Sequence, residues 1–238
     1  MILSHKHKFI FLKTKKTAGT SVEIALSAIC GPEDVITPIS PEDEALRASL
    51  GYRGAQNYRP PLPVAARLYL RRGRWPRFYN HMNAFEVKRL VGEQIWQDYF
   101  TFCFERNPWE RALSQFHYWR ERTAQGAEFR DYIRSGKLDR LQKKTAAFYR
   151  QGEDILVDRV CRHEDFEEEL RGISIRLGLT EPLRAPNAKG GIRSHQAEHC
   201  WQQQDVDYIA ELFKFEIERF GYQPPSRISS RPPLPRSP

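Results

Sequence analysis

The stretch Phe9-Ile10-Phe11-Leu12-Lys13-Thr14-Lys15-Lys16-Thr17-Ala18-Gly19-Thr20-Ser21 restricts what this chain can fold into more than any other. Phe9 to Leu12 is an apolar run short enough for a buried strand, and Val22, Ile24, Ala25, Leu26, Ala28 and Ile29 gather on one side of a helix that stops at Gly31-Pro32. Strand, cationic hydroxyl-rich turn and helix in that order predict an α/β protein with the turn at a helix N-terminus. Free backbone N–H groups and the positive end of the helix dipole attract an anion there. Gly19 permits close backbone approach, and Lys16, Thr20 and Ser21 add charge and hydroxyl donors. A Walker A loop carries its lysine after a second glycine, whereas this turn has one glycine with its lysines ahead of it, so an ordinary nucleotide triphosphatase loop is excluded. The same residues also fit a plain strand–turn–helix with solvated lysines.

A second junction follows the same plan. Tyr99-Phe100-Thr101-Phe102-Cys103-Phe104 reads as a strand buried on both faces and runs into Glu105-Arg106-Asn107-Pro108-Trp109-Glu110. Asn107 is placed to cap a helix, with Pro108 at its first position and Glu110 at its third. Trp109, Ala112, Leu113, Phe116 and Trp119 form its apolar stripe, which puts Arg111, Ser114 and Tyr118 on the opposite face. Arg106 at the strand end can reach the same space, and a guanidinium beside a hydroxyl suits a phosphate dianion. Two anion sites at the carboxyl ends of two strands suit a nucleotide with phosphates at both ends of its ribose.

Taken together, the two junctions resemble the sulfotransferases that use 3′-phosphoadenosine 5′-phosphosulfate (PAPS), in the carbohydrate branch of heparan-type, family 2 enzymes. The first loop is similar to their 5′-phosphosulfate loop, and Arg106-Asn107-Pro108-Trp109-Glu110-Arg111 with Ser114 is similar to their 3′-phosphate motif. The resemblance runs from the N-terminus to the region of Tyr222. It implies a P-loop-NTPase-like central parallel sheet flanked by helices, PAPS as donor, 3′-phosphoadenosine 5′-phosphate (PAP) as product, and no metal ion. It further implies that Lys16 stabilises the bridging oxygen of the leaving phosphate. Lys16, Thr17, Ala18, Gly19, Thr20 and Ser21 would hold the 5′ end, and Arg106 and Ser114 the 3′-phosphate. Relatives close a late Lys-Gly loop over that phosphate, which brings in Lys189, Gly190, Gly191 and Arg193, although Gly-Gly with flanking charges also fits an ordinary turn.

His81 is the candidate general base. It precedes Asn83, an evident N-cap with Glu86 three residues on, so the ring would lie near the start of a helix Ala84 to Val91, where an added proton is disfavoured. The resemblance places a catalytic histidine in the same segment, and a capping or buried structural histidine fits the position as well. Glu86 and Glu105 remain as alternative bases. Glu105 itself departs from the family, whose members often have an apolar residue before the motif arginine; strand alternation could turn it away from Arg106 or make it that arginine's ion-pair partner.

With 238 residues and 40% apolar content, the chain can bury one sizeable core, so a single domain over residues 1–222 is expected. Residues 31–80 would be an acceptor-side insertion, and 223–238, rich in Pro, Ser and Arg, a disordered tail. Tyr52, Arg53, Tyr58, Arg59, Arg67, Tyr69, Arg71, Arg72, Arg74, Trp75, Arg77 and Tyr79 could stack on and pair with a glycan or an acidic small-molecule acceptor. A helix from Val64 to Arg72 with a solvated basic face gives the same composition. Net charge +8 suits an anionic donor. No apolar run reaches the ~20 residues of a membrane span, which favours a bacterial, cytoplasmic enzyme. Cys30, Cys103, Cys161 and Cys200 are scattered and read as reduced thiols, and no metal-ligand spacing is evident. Two other readings share the features: a P-loop-type kinase, which lacks its Gly-Lys-[ST] here, and a non-catalytic polyanion or nucleic-acid binder, which has no need of Arg106 and Ser114 beside a capped helix.

Overall fold

The computed structural model describes residues 1–59, 62, 66, 69, 70, 77–123, 125–186 and 201–229. In chain order the elements are β1 (Ile2–Ser4), β2 (Phe9–Leu12), α1 (Gly19–Ser27), β3 (Val35–Ile36), α2 (Pro41–Ser49), α3 (Ala84–Val91), α4 (Glu93–Asp98), β4 (Phe100–Glu105), α5 (Pro108–Thr123), α6 (Phe129–Arg134), α7 (Lys137–Tyr149), β5 (Arg150–Gln151), β6 (Asp154–Ile155), β7 (Arg159–Arg162), α8 (Phe166–Arg176), β8 (Trp201–Gln202), α9 (Gln203–Leu212), α10 (Lys214–Phe220) and β9 (Ile228–Ser229). Packing divides the chain into two compact units, Met1–Glu105 with Thr145–Lys189 and Arg106–Lys144 with Gly190–Pro238. Each has an apolar core of its own.

The first unit is built on a mixed five-stranded sheet of order β3-β1-β2-β4-β7. β2 pairs parallel with β4, Leu12 opposite Cys103, and β4 pairs parallel with β7, Phe104 opposite Cys161. An all-parallel sheet was the expectation, and β1 departs from it, running antiparallel to both β2 and β3. The cause is local. Ser4 pairs with Phe9, so the chain reverses within His5 to Lys8, and so short a connection can only join antiparallel strands. Asp34 ties that reversal down, its carboxylate accepting from the Ser4 hydroxyl (2.7 Å) and the backbone N–H groups of His5 (2.7 Å) and Gly31 (2.8 Å). Val35–Ile36, inside the span expected as an acceptor-side insertion, is one of the sheet's two edge strands.

Phe9, Phe11, Phe102 and Phe104 from β2 and β4 pack with Val22 and Leu26 of α1 and Leu170 and Ile173 of α8. That aromatic layer explains why both strands are so apolar. The third parallel strand is Arg159–Arg162, not the expected Ile155–Val157, because Ile155 belongs to the β5–β6 hairpin. Asp158 marks the entry into the sheet, its carboxylate accepting from the Thr101 N–H (2.7 Å) and hydroxyl (2.8 Å). Arg159 then pairs with Glu169 of α8 at 2.6 Å, which lets so polar a sequence hold a sheet position.

In the second unit Trp109, Ala112, Leu113 and Phe116 of α5 pack with Tyr132, Val206, Ile209 and Phe213. The expected continuous helix from Asp205 to Phe220 is two helices, broken at Phe213, and Gly221 ends the second with φ +66°. Ile228–Ser229 pairs parallel with Trp201–Gln202, so a piece of the span expected to be a disordered tail forms a strand; residues 230–238 lie outside the described residues. Among the described residues no helix is long and apolar enough to cross a membrane.

Candidate functional site

β2 and β4 are adjacent and parallel, so the chain leaves both at the same edge of the sheet, at Lys13 and after Glu105. The loop after β2 has an unusual backbone. Lys16 (φ 65°) and Ala18 (φ 58°) are left-handed although neither is glycine, while Thr17 between them and Gly19 after them are not. Such alternation turns successive N–H groups toward one side and makes a nest for an anion. Strain of this kind persists only where the surroundings enforce it. α1 then starts at Gly19 with no acid in its first turn, and among the described residues no side chain caps its N-terminal donors. Thr17 is fully buried, Thr20 nearly so, and Lys16 and Ser21 are half-buried. Thr14 donates its hydroxyl proton to the Phe104 carbonyl of β4, so its contact with Thr17 Oγ1 at 2.7 Å is a bond that Thr17 donates. The Thr17 hydroxyl is therefore spent inside the loop.

Gly19 has a reason that sequence reading did not supply. A Cβ at this position would lie 2.7 Å from Cγ of Lys13, so the close approach is made by Lys13's own stem. Lys13 is 4% exposed, and its Nζ lies 2.8 Å from Glu23 Oε2, with Glu23 fully buried in α1. The other oxygen of Glu23 accepts from the Met1 amino group at 2.6 Å and the Thr37 hydroxyl at 3.1 Å. Burial pushes the carboxyl of Glu23 up, and the Met1 amine and Lys13 together hold it down to about 2. At the Met1 amine burial outweighs Glu23 and brings it down to about 6, and Lys13 is the second cation on the same carboxylate.

His81 belongs to the same neighbourhood. Asn83 caps α3, its side chain accepting from the Glu86 N–H at 2.9 Å, and holds the Glu86 carboxylate through Nδ2 at 2.8 Å; Tyr79 donates its hydroxyl to the same carboxylate. Just ahead of that cap His81 takes a left-handed backbone (φ 61°) and places Nδ1 2.9 Å from the Lys13 carbonyl oxygen. A carbonyl only accepts, so Nδ1 carries the proton and the lone pair of the neutral ring is on Nε2. Burial first and the Lys13 ammonium second lower the imidazole to about 4, causes the sequence argument from the helix N-terminus did not contain. The ring also packs against Phe148, centroids 6.1 Å apart. Asn80 Oδ1, next in the chain, is buried with no hydrogen-bond partner among the described residues.

Glu105 is fully buried, and its carboxylate accepts from the Tyr149 hydroxyl at 2.8 Å. In the second unit, Arg106 pairs with Glu110 one turn along at 2.9 Å. Asn107 Oδ1 accepts from the Trp109 N–H at 3.1 Å, so α5 begins with a closed cap. Ser114 is 4% exposed. Arg111 does not share an open polar face with it: the guanidinium is fully buried over the Phe213 ring, 5.0 Å from its centroid. Lys189, Gly190, Gly191 and Arg193 lie outside the described residues, as do Arg67, Arg71, Arg72, Arg74 and Trp75. Of the remaining aromatic and basic cluster, Arg53 donates to the Cys30 carbonyl (2.7 Å) and Arg59 stacks on Tyr58.

The sequence model of sulfotransferase family 2 matches residues 1–223, which takes in the β2–α1 loop, His81 and the α5 start. The chain belongs to the sulfotransferase family. An uncharacterized protein of Archaeoglobus fulgidus is 28% identical over 104 residues, 43% of this chain and 87% of that protein. No solved structure matches. The loop has the features that attract an anion: among the described residues no side chain caps the α1 N-terminus, no acid occupies its first turn, and the lysines and left-handed residues precede it. Among the described residues no group of three or more His, Cys, Asp or Glu could hold a metal ion.

Proposed function

We propose that this sulfotransferase moves a sulfuryl group from PAPS to an acceptor hydroxyl, on a glycan or another small hydroxylated molecule. In that reading the N–H groups of Lys16 to Ser21 receive the 5′-phosphosulfate, and Arg106 with Ser114 receives the 3′-phosphate. Nε2 of His81 takes the hydroxyl proton as the oxygen–sulfur bond forms, and the ammonium of Lys16 neutralises the charge that grows on the 5′-phosphate as the sulfur–oxygen bond to it breaks. A metal ion is not part of the scheme.

One observation carries the reading. The residue that opens the loop, Lys13, is also the residue whose carbonyl fixes His81, so the left-handed loop and a neutral imidazole whose Nε2 has no partner among the described residues are parts of one construction. An imidazole lowered to about 4 is unprotonated throughout the neutral range, which keeps the Nε2 lone pair in place. A polyanion binder needs neither the tautomer nor the burial. The test is thermal unfolding with nucleotides. PAP raises the unfolding temperature and ATP with magnesium does not; stabilisation by ATP with magnesium, or by neither nucleotide, contradicts the proposal.

A further inference from the structure

Three lysines stand in the loop, Lys13, Lys15 and Lys16. The structure separates them. Lys15 and Lys16 are half-buried, whereas Lys13 is 4% exposed and directs its ammonium to a fully buried carboxylate 2.8 Å away. Its stem fills the space a side chain at Gly19 would need, and its carbonyl lies 2.9 Å from His81 Nδ1.

We propose that Lys13 is a positioning residue for His81 and not a phosphate ligand. Glu23 anchors its ammonium in the first unit, Gly19 leaves room for its stem, and the backbone so fixed presents the carbonyl that keeps the imidazole in its Nδ1–H form. Glu23, ten residues along on α1, thereby acts on the base through Lys13. The purpose given to the imidazole rests on the sulfotransferase reading; the geometry does not. The charged groups that face the ring are Lys13 and Lys15 of the loop and the Met1 amine beside β1, while Phe148 at the end of α7 meets it without charge. After burial, the Lys13 ammonium is the largest influence that disfavours a second proton on the ring.

Lys13→Met combined with Glu23→Gln tests this, because removing both charges leaves neither unpaired in the interior, and the Met1 amine keeps its hydrogen bond to the Thr37 hydroxyl oxygen at 2.6 Å. The probes are nuclear magnetic resonance titration of His81 and calorimetry with PAP. The titration midpoint of His81 rises by about one pH unit or more toward its ordinary value, while PAP affinity stays within about threefold of the parent. A fall in PAP affinity of about tenfold or more, or an unmoved midpoint, overturns the proposal. Should the double variant not fold, nitrogen shifts of His81 in the unaltered protein decide: the Nδ1–H form at neutral pH supports it, and the Nε2–H form overturns it. If the unaltered protein does not bind PAP, the donor reading falls, and the His81 titration alone decides the role of Lys13.

Discussion

The two strand-to-helix junctions, β2 into α1 and β4 into α5, answer the same structural problem in opposite ways. Each must deal with a helix N-terminus whose first N–H groups lack partners. At α5 the side chain of Asn107 closes the end, and Arg106 is paired with Glu110. At α1 no side chain caps the end, and strained residues stand where a cap would be. Stability alone favours the first solution, since a good cap contributes about 1 kcal/mol. The second is an opening kept at a cost, and the neighbouring lysines and His81 suggest what it is kept for.

Function breaks the comparison most sharply. Lys16→Ala is expected to slow release of PAP from the donor by about 10³-fold, and His81→Ala by 10² to 10⁴-fold, with only the lysine variant also weakening donor binding. An active His81→Ala enzyme removes it as the base. Arg106→Ala, at the closed junction, is expected to weaken PAP by about ten- to a hundredfold, through loss of a charge-assisted contact, without comparable loss of fold. Calorimetry reads both quantities.

Stability sharpens the contrast further. The folded state lowers His81 from 6.5 to about 4, so the unfolded chain binds its proton first. The stability this represents is complete above pH 6.5 and lost as pH falls through 4, a drop of roughly 3 kcal/mol. His81→Gln should flatten denaturation midpoints across that window; an unchanged pH profile places the loss elsewhere. Gly19→Ala should cost about 1–3 kcal/mol by driving a methyl group into Lys13, where an open loop would accept it at little cost. Smallest is Asn107→Ala, at about 1 kcal/mol from the lost cap, read as a modest fall in melting temperature.

Both junctions were legible in the sequence because their signals are local. The apolar run Phe9 to Leu12 is β2 residue for residue, and Asn83 with Glu86 marks the start of α3. Asn107-Pro108 likewise marks the start of α5. What was not legible depends on partners distant in the chain. β1 is three residues long, too short to show alternation, and exists through pairing with β2 and β3. β7 is Arg-Val-Cys-Arg, which no strand pattern would select over Ile155-Leu156-Val157; its place depends on Asp158 and Glu169. Glu23 offered one unused signal, an acid amid the apolar side of α1. A buried carboxylate needs a cation, and Lys13 supplies one on one oxygen while the Met1 amine meets the other. The same blindness applied to Glu105, whose partner Tyr149 is far along the chain, and to Arg111, which reads as polar surface and lies buried on Phe213.

The central claim is that the open junction holds one end of a nucleotide and Arg106 with Ser114 the other. Its most direct measurement is the ratio of affinities for PAP and adenosine 5′-monophosphate in the parent protein, in Lys16→Ala and in Arg106→Ala. The account predicts a strong preference for PAP that Lys16→Ala preserves while weakening both ligands, and that Arg106→Ala erases. A preference untouched by Arg106→Ala, or no discrimination between the two nucleotides in the parent protein, contradicts it.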